Sequence, residues 1–120
     1  MAKMKMTTCK RRDQRYQNNG HLKSSFTSNG LVTQFLPTKQ YDAVLTNLSI
    51  NGAGIMTDSM LLKEGDNIIL TISSPRNANV VVNAQVMYSQ TINDNDHRAG
   101  LLFNGHDTAD IQSLITIYLL

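Results

Sequence analysis

Two short polar clusters carry the residue types in this chain that can recognise something. The first is Asn47-Leu48-Ser49-Ile50-Asn51-Gly52. Residues two apart on an extended segment point the same way, so Asn47 and Ser49 share one face while Leu48 and Ile50 turn to a core behind them. An amide beside a hydroxyl offers donors and acceptors without net charge, which suits reading a polar planar edge better than breaking a bond. The same residue types also build ordinary turns, and the hexapeptide alone does not separate the two readings. The second cluster is Lys10-Arg11-Arg12-Asp13-Gln14-Arg15. Arg11 and Arg15 are four apart, so one helical turn sets them on one side, able to close together on a small anion. A guanidinium can bond bidentately to phosphate or to guanine O6 and N7, and it stacks on bases; lysine does neither. A solvated basic tail and non-specific attraction to nucleic-acid phosphates are the other readings of these charges.

Other chemistry is poorly supplied. His21, His97 and His106 stand in three separate segments without metal-ligand spacing, Cys9 has no positioned base, and no phosphate-cradling glycine loop precedes a helix. No catalytic residue and no metal site is expected, and the chain reads as a non-enzyme. Asn93-Asp94-Asn95-Asp96 lacks the glycine and the distant glutamate of a calcium loop and reads as a hairpin tip. One cysteine allows no internal disulfide, which fits a reducing compartment. The basic start is followed by no continuous apolar region, and nowhere is there a run of about 18 apolar residues. A cytoplasmic protein without a membrane span is therefore expected.

The elements that must hold the two clusters follow from patterning. With 120 residues, 41% hydrophobic and 17% charged, the chain suits one domain with one core. Its charge is uneven. Six basic residues against Asp13 give the first 15 residues +5, and the remainder, with five basic and eight acidic residues, carries −3. Residues 1–20 read as a flexible basic arm and residues 21–120 as the folded domain. Short apolar runs separated by turn signals predict strands at 21–26, 31–36, 41–46, 53–57, 67–72, 80–88 and 97–103. Within 80–88, period-two counting sets Val80, Val82, Ala84, Val86 and Tyr88 on one face. Gly52 and Gly54 are read as a pair that permits positive φ and a close backbone approach where the chain turns. Ile111, Leu114, Ile115, Tyr118 and Leu119 follow the helical period, with Asp107 or Thr108 as cap and Asp110 in an acidic first turn. The class is mainly β, an antiparallel barrel or sandwich covered by a C-terminal helix.

Taken together, Arg11-x-x-x-Arg15 and Asn47-x-Ser49-x-x-Gly52 resemble the paired RxxxR and [D/N]xSxxG motifs of PilZ domains, receptors for the bacterial second messenger cyclic di-GMP. The Gly65-Asp66 turn, Arg98-Ala99-Gly100-Leu101 and the terminal helix extend the resemblance over nearly the whole chain. It implies a small antiparallel, split PilZ-type β-barrel with a C-terminal α-helix. It further implies a cyclic di-GMP site of Arg11, Arg15, Asn47, Ser49 and Gly52, with Lys10 and Arg12 as possible additions that favour a stacked ligand dimer.

By that resemblance Asn47 meets a guanine edge, Ser49 a guanine or phosphate oxygen, and Gly52 keeps the turn low beneath the ligand. Asp is the commoner residue at the Asn47 position; an amide accepts through one oxygen where a carboxylate accepts through two. The implied function is a receptor or adaptor that changes conformation on binding and signals through a partner protein. The alternative is a small β-barrel nucleic-acid binder using the same arm. Such proteins need clustered stacking aromatics, and this chain has three Phe, four Tyr and no Trp.

Overall fold

The computed structural model describes residues 14–28, 40–58, 62–105 and 108–120. Among these residues seven strands occur: β1 (Tyr16–Gln17), β2 (Lys23–Ser28), β3 (Gln40–Ser49), β4 (Gly52–Thr57), β5 (Asn67–Ser73), β6 (Val80–Thr91) and β7 (His97–Asn104). The strand expected at 31–36 lies outside the described residues. Every pairing is antiparallel, in the order β1-β3-β2-β5-β6-β7-β4, and a further pairing of β3 with β4 closes β2 to β7 into a six-stranded barrel. Between the two architectures left open by patterning, closure decides for the barrel, since a closed sheet leaves no long unpaired edge.

Alternation fills the inside. Phe26, Leu45, Leu48, Ala53, Ile55, Ile68, Leu70, Ile72, Val82, Ala84, Val86, Ala99, Leu101 and Phe103 point inward and are almost wholly buried. Each large aliphatic side chain removed from water contributes about 1.5–3 kcal/mol before chain entropy is subtracted. The terminal helix α1 (Thr108–Leu114) adds Ile111 and Leu114 to the same core. It then widens into a π-helical turn, Ile115–Leu119, where the Leu120 N–H reaches the Ile115 carbonyl at 3.1 Å. The widened turn keeps Ile115 buried and leaves Tyr118 and Leu119 partly buried against the core, so the helical period holds although half the segment is not α.

Two bulges break the alternation, and both matter for the outer face. One lies between Leu45 and Asn47 on β3, the other between Val86 and Tyr88 on β6. An extra residue in one strand shifts the facing of everything beyond it. Val82, Ala84 and Val86 face the core as expected, but Tyr88 does not: past the bulge it stands outside, 47% exposed. Period-two counting therefore placed Tyr88 on the wrong face.

Candidate functional site

Asn47 and Ser49 lie at the end of β3, immediately before the turn at Ile50-Asn51 that leads into β4. Leu48 between them is fully buried, as alternation requires, whereas Ile50 sits in the turn and is only partly buried against the core. Asn47 is paired with Gly54 on β4 and, on its other side, with Gln17 of β1. Continuing across the sheet, Gly54 is paired with Gly100 of β7 and Gly100 with Tyr88 of β6. The outer face of the barrel thus carries one row, Asn47, Gly54, Gly100, Tyr88, in which two polar or aromatic side chains flank two glycines.

The glycines are required by their neighbours. A Cβ at residue 54 would stand 2.9 Å from the Asn47 amide nitrogen and 2.9 Å from Thr46 Oγ1, so the Asn47 side chain lies down across Gly54 only because that Cβ is missing. A Cβ at residue 100 would run into the Tyr88 ring, which lies over Gly100 in the same way. At residue 52 a Cβ would stand 2.5 Å from the Leu101 carbonyl oxygen, a backbone atom of the neighbouring strand that cannot step aside. The positive φ expected for Gly52 and Gly54 is not found; among the described residues the glycines with positive φ are Gly20, Gly65 and Gly105. Close approach, the other half of that expectation, is what these positions use.

Arg15 completes the arrangement. Its Nη1 donates to Asn47 Oδ1 at 2.8 Å, and its Nη2 passes 3.7 Å from where a Gly52 Cβ would be. Arginine has only donors, so the amide oxygen of Asn47 must face it and the Asn47 NH2 group is left over the Gly54 side. An amide partner holds the guanidinium in place without neutralising it, which an aspartate would do. The positive charge stays available to an anion. The Ser49 hydroxyl is engaged in the turn, donating to the Gly52 carbonyl at 3.3 Å, and the residue is only 2% exposed. Its lone pairs remain the part that a further donor can meet. Lys10, Arg11 and Arg12 lie outside the described residues. Arg98, two residues before Gly100 on β7, shares the outward face by alternation and is exposed.

The arm's described part is fastened to the barrel. Tyr16 and Gln17 form the two-residue strand β1 on β3. Asn19 Nδ2 donates to the Tyr118 carbonyl at 2.9 Å, and the His21 ring meets the Tyr118 ring edge to face at 6.4 Å. Tyr118 in turn donates its hydroxyl to Asn77 Oδ1 at 2.6 Å. His97 is buried, with Nδ1 3.2 Å from Thr91 Oγ1. His21 and His97 are thus held in different surroundings, and His106 lies outside the described residues. Two open depressions elsewhere have the wrong sign for an anion. One of about 300 Å3 is lined by Asp42, Asp58 and Asp96 among others, and one of about 240 Å3 includes Asp110.

Sequence reasoning missed Tyr88, because the bulge that turns it outward leaves no mark in the alternation, and it missed the role of Gly100 as the bed beneath that ring. The adjacency of Gly54 to Asn47 follows only from the β3–β4 register.

The PilZ domain family model matches residues 10–119. No curated protein matches the chain significantly. Among solved structures, the PilZ domain of YcgR from Escherichia coli, in a structure with c-di-GMP, superposes with a TM-score of 0.67 at 16% identity over 88% of each chain. The inhibitor of motility MotI/DgrA of Bacillus subtilis superposes with 0.63 at 15% identity, over 86% of this chain and 47% of that one. MrkH, described as a c-di-GMP-dependent transcription regulatory factor, gives 0.65 at 13% identity over 88% of this chain and 49% of that one. The chain thus spans most of the isolated YcgR domain and about half the length of the other two proteins.

Proposed function

The chain belongs to the PilZ domain family, and from that premise we propose that it is a cyclic di-GMP receptor whose ligand lies on the outer face of the barrel, over Gly54 and Gly100. The observation that carries the reading is the Arg15–Asn47 hydrogen bond of 2.8 Å, a guanidinium held by a neutral partner beside a surface kept low by Gly54 and Gly100, on which the Asn47 amide and the Tyr88 ring lie. Cyclic di-GMP presents two phosphate charges and two guanines. Arg15 keeps donors free after bonding Asn47 and can meet guanine O6 and N7 or a phosphate. Asn47 offers its NH2 group to the guanine edge, Ser49 accepts into its hydroxyl, and Gly52 fixes the turn on which both are set. Tyr88 offers a ring face for a base, worth about 1–3 kcal/mol per stacked base in comparable sites. Lys10, Arg11 and Arg12 supply the remaining charge from the arm, with Arg11 closing on the ligand opposite Arg15.

Residues 1–20 act as the mobile half of this site and residues 21–120 as its rigid half. Ligand binding orders the arm around the ligand, and the rearranged surface is what a partner protein reads. No enzymatic step is needed for that role. The hydrogen bond from Asn19 to Tyr118 supports the reading, because it ties the arm to the C-terminal segment and, through Tyr118 and Asn77, to the β5–β6 connection.

Calorimetric titration of cyclic di-GMP into the wild-type chain tests the proposal. Binding with a Kd near or below about 10 µM, about −7 kcal/mol, is expected. Absence of binding at about 100 µM overturns it, and a steep salt-dependent affinity for generic oligonucleotides in its place selects a nucleic-acid binder.

A further inference from the structure

β3 changes partners along one edge. Its first residues, Gln40 to Ala43, are bonded to β2, and Asn47 and Leu48 are bonded to β1. Between the two ladders the strand would present carbonyls with no strand opposite. Asn18 fills that gap. Its backbone N–H donates to the Thr46 carbonyl at 3.0 Å, and its side-chain amide donates to the Leu45 carbonyl at 2.8 Å and to the Leu22 carbonyl at 2.9 Å. The amide oxygen accepts from the N–H groups of Gly20 at 3.2 Å and Leu22 at 3.3 Å. One side chain thus stands in for a missing rung, bonding β3 on one side and the entry to β2 on the other. Leu22 and Leu45 are each only 2% exposed, so their carbonyls would be costly to leave unbonded.

The gap falls at the β3 bulge, one residue before Asn47, and Asn18, which fills it, follows Arg15 by three residues. We infer that Asn18 is the positioning residue of the anion clamp: by closing the seam between β1 and β2 it fixes the register of β1 on β3, and so holds Arg15 against Asn47. Asparagine is specified because the position needs two donors for the two carbonyls and an acceptor for two backbone N–H groups at once. Aspartate keeps the shape and the acceptor but loses both donors and sets a carboxylate against two carbonyl oxygens. The ligand half of this inference rests on the cyclic di-GMP reading; the register half does not.

Three measurements decide it. In the wild type, the Asn18 side-chain NH2 protons should exchange slowly with solvent by NMR, and exchange at the rate of a free amide overturns the inference without any variant. In Asn18→Asp, the Asn18 backbone amide should lose protection while the β5–β6 amides keep theirs; unchanged protection overturns it. For ligand, N18D should weaken cyclic di-GMP binding about tenfold in the wild-type background and less than about twofold in an Arg15→Ala background, since the clamp it positions is already gone. An equal loss in both backgrounds marks a general structural effect and overturns the positioning role, as does wild-type affinity in N18D. If the wild-type chain binds no cyclic di-GMP, the functional reading fails, and the two exchange measurements still decide whether Asn18 sets the register.

Discussion

The two halves of the proposed site are built by different means. Asn47, Gly52 and Gly54 belong to strands bonded on both edges within a closed barrel, above a core of fully buried side chains. Arg15 is held by a two-residue strand, one side-chain amide and its own bond to Asn47. Moving the backbone of the first half requires breaking ladders of the barrel. In the second half, a change needs to undo only a few hydrogen bonds, each worth about 0.5–1.5 kcal/mol net. Low local stability is what a ligand-responsive element requires, and of the two halves it is the segment from Arg15 to Asn18 that rests on few hydrogen bonds.

That contrast can be broken most sharply at Gly52. Replacing it with valine sets a Cβ against the Leu101 carbonyl, and a loss of stability of about 3 kcal/mol or more is expected from the denaturant midpoint. A well-folded variant would show that the β3–β4 corner is softer than its packing implies. Arg15→Ala should do the reverse. Cyclic di-GMP affinity falls by about 1.5–3 kcal/mol while global stability falls by no more than about 1.5 kcal/mol, the worth of one hydrogen bond. Tyr88→Ala tests whether the rigid half contributes a ring: about 1 kcal/mol of affinity should go, and Tyr88→Phe should keep it. The smallest effect is expected from Tyr118→Phe, which removes the 2.6 Å bond to Asn77. Thermal stability should fall by about 1 kcal/mol or less with affinity unchanged. A large loss of affinity there would extend the ligand site to the C-terminal segment.

Much of the rigid half was legible in the sequence because it depends on local pattern. Asn47, Ser49 and Gly52 sit where a strand gives way to a turn, and the period-two runs on either side mark the strands. The helical period of Ile111, Leu114 and Ile115 likewise survives the switch to a π turn, since the buried face is what the spacing encodes. What could not be read depends on register. Tyr88 follows Val86 at a core-like interval, and only a bulge between them, set by pairing with β7, turns the ring outward over Gly100. Gly54 and Gly100 read as ordinary strand glycines until the strands are aligned. Asn18 looks like loop composition in a polar stretch, and its four side-chain bonds appear only when β1 and β2 are seen to share one edge of β3.

The most direct test of a two-part site is a double-mutant cycle on Arg15 and Asn47, measured by calorimetric titration of cyclic di-GMP into the wild type, Arg15→Ala, Asn47→Ala and the double variant. A single clamp predicts that each substitution alone weakens binding about tenfold or more and that the double variant is scarcely weaker than the worse single one, a coupling of about 1 kcal/mol or greater. Losses that simply multiply, with coupling below about 0.3 kcal/mol, would show that the arm and the barrel meet the ligand independently, contradicting the clamp.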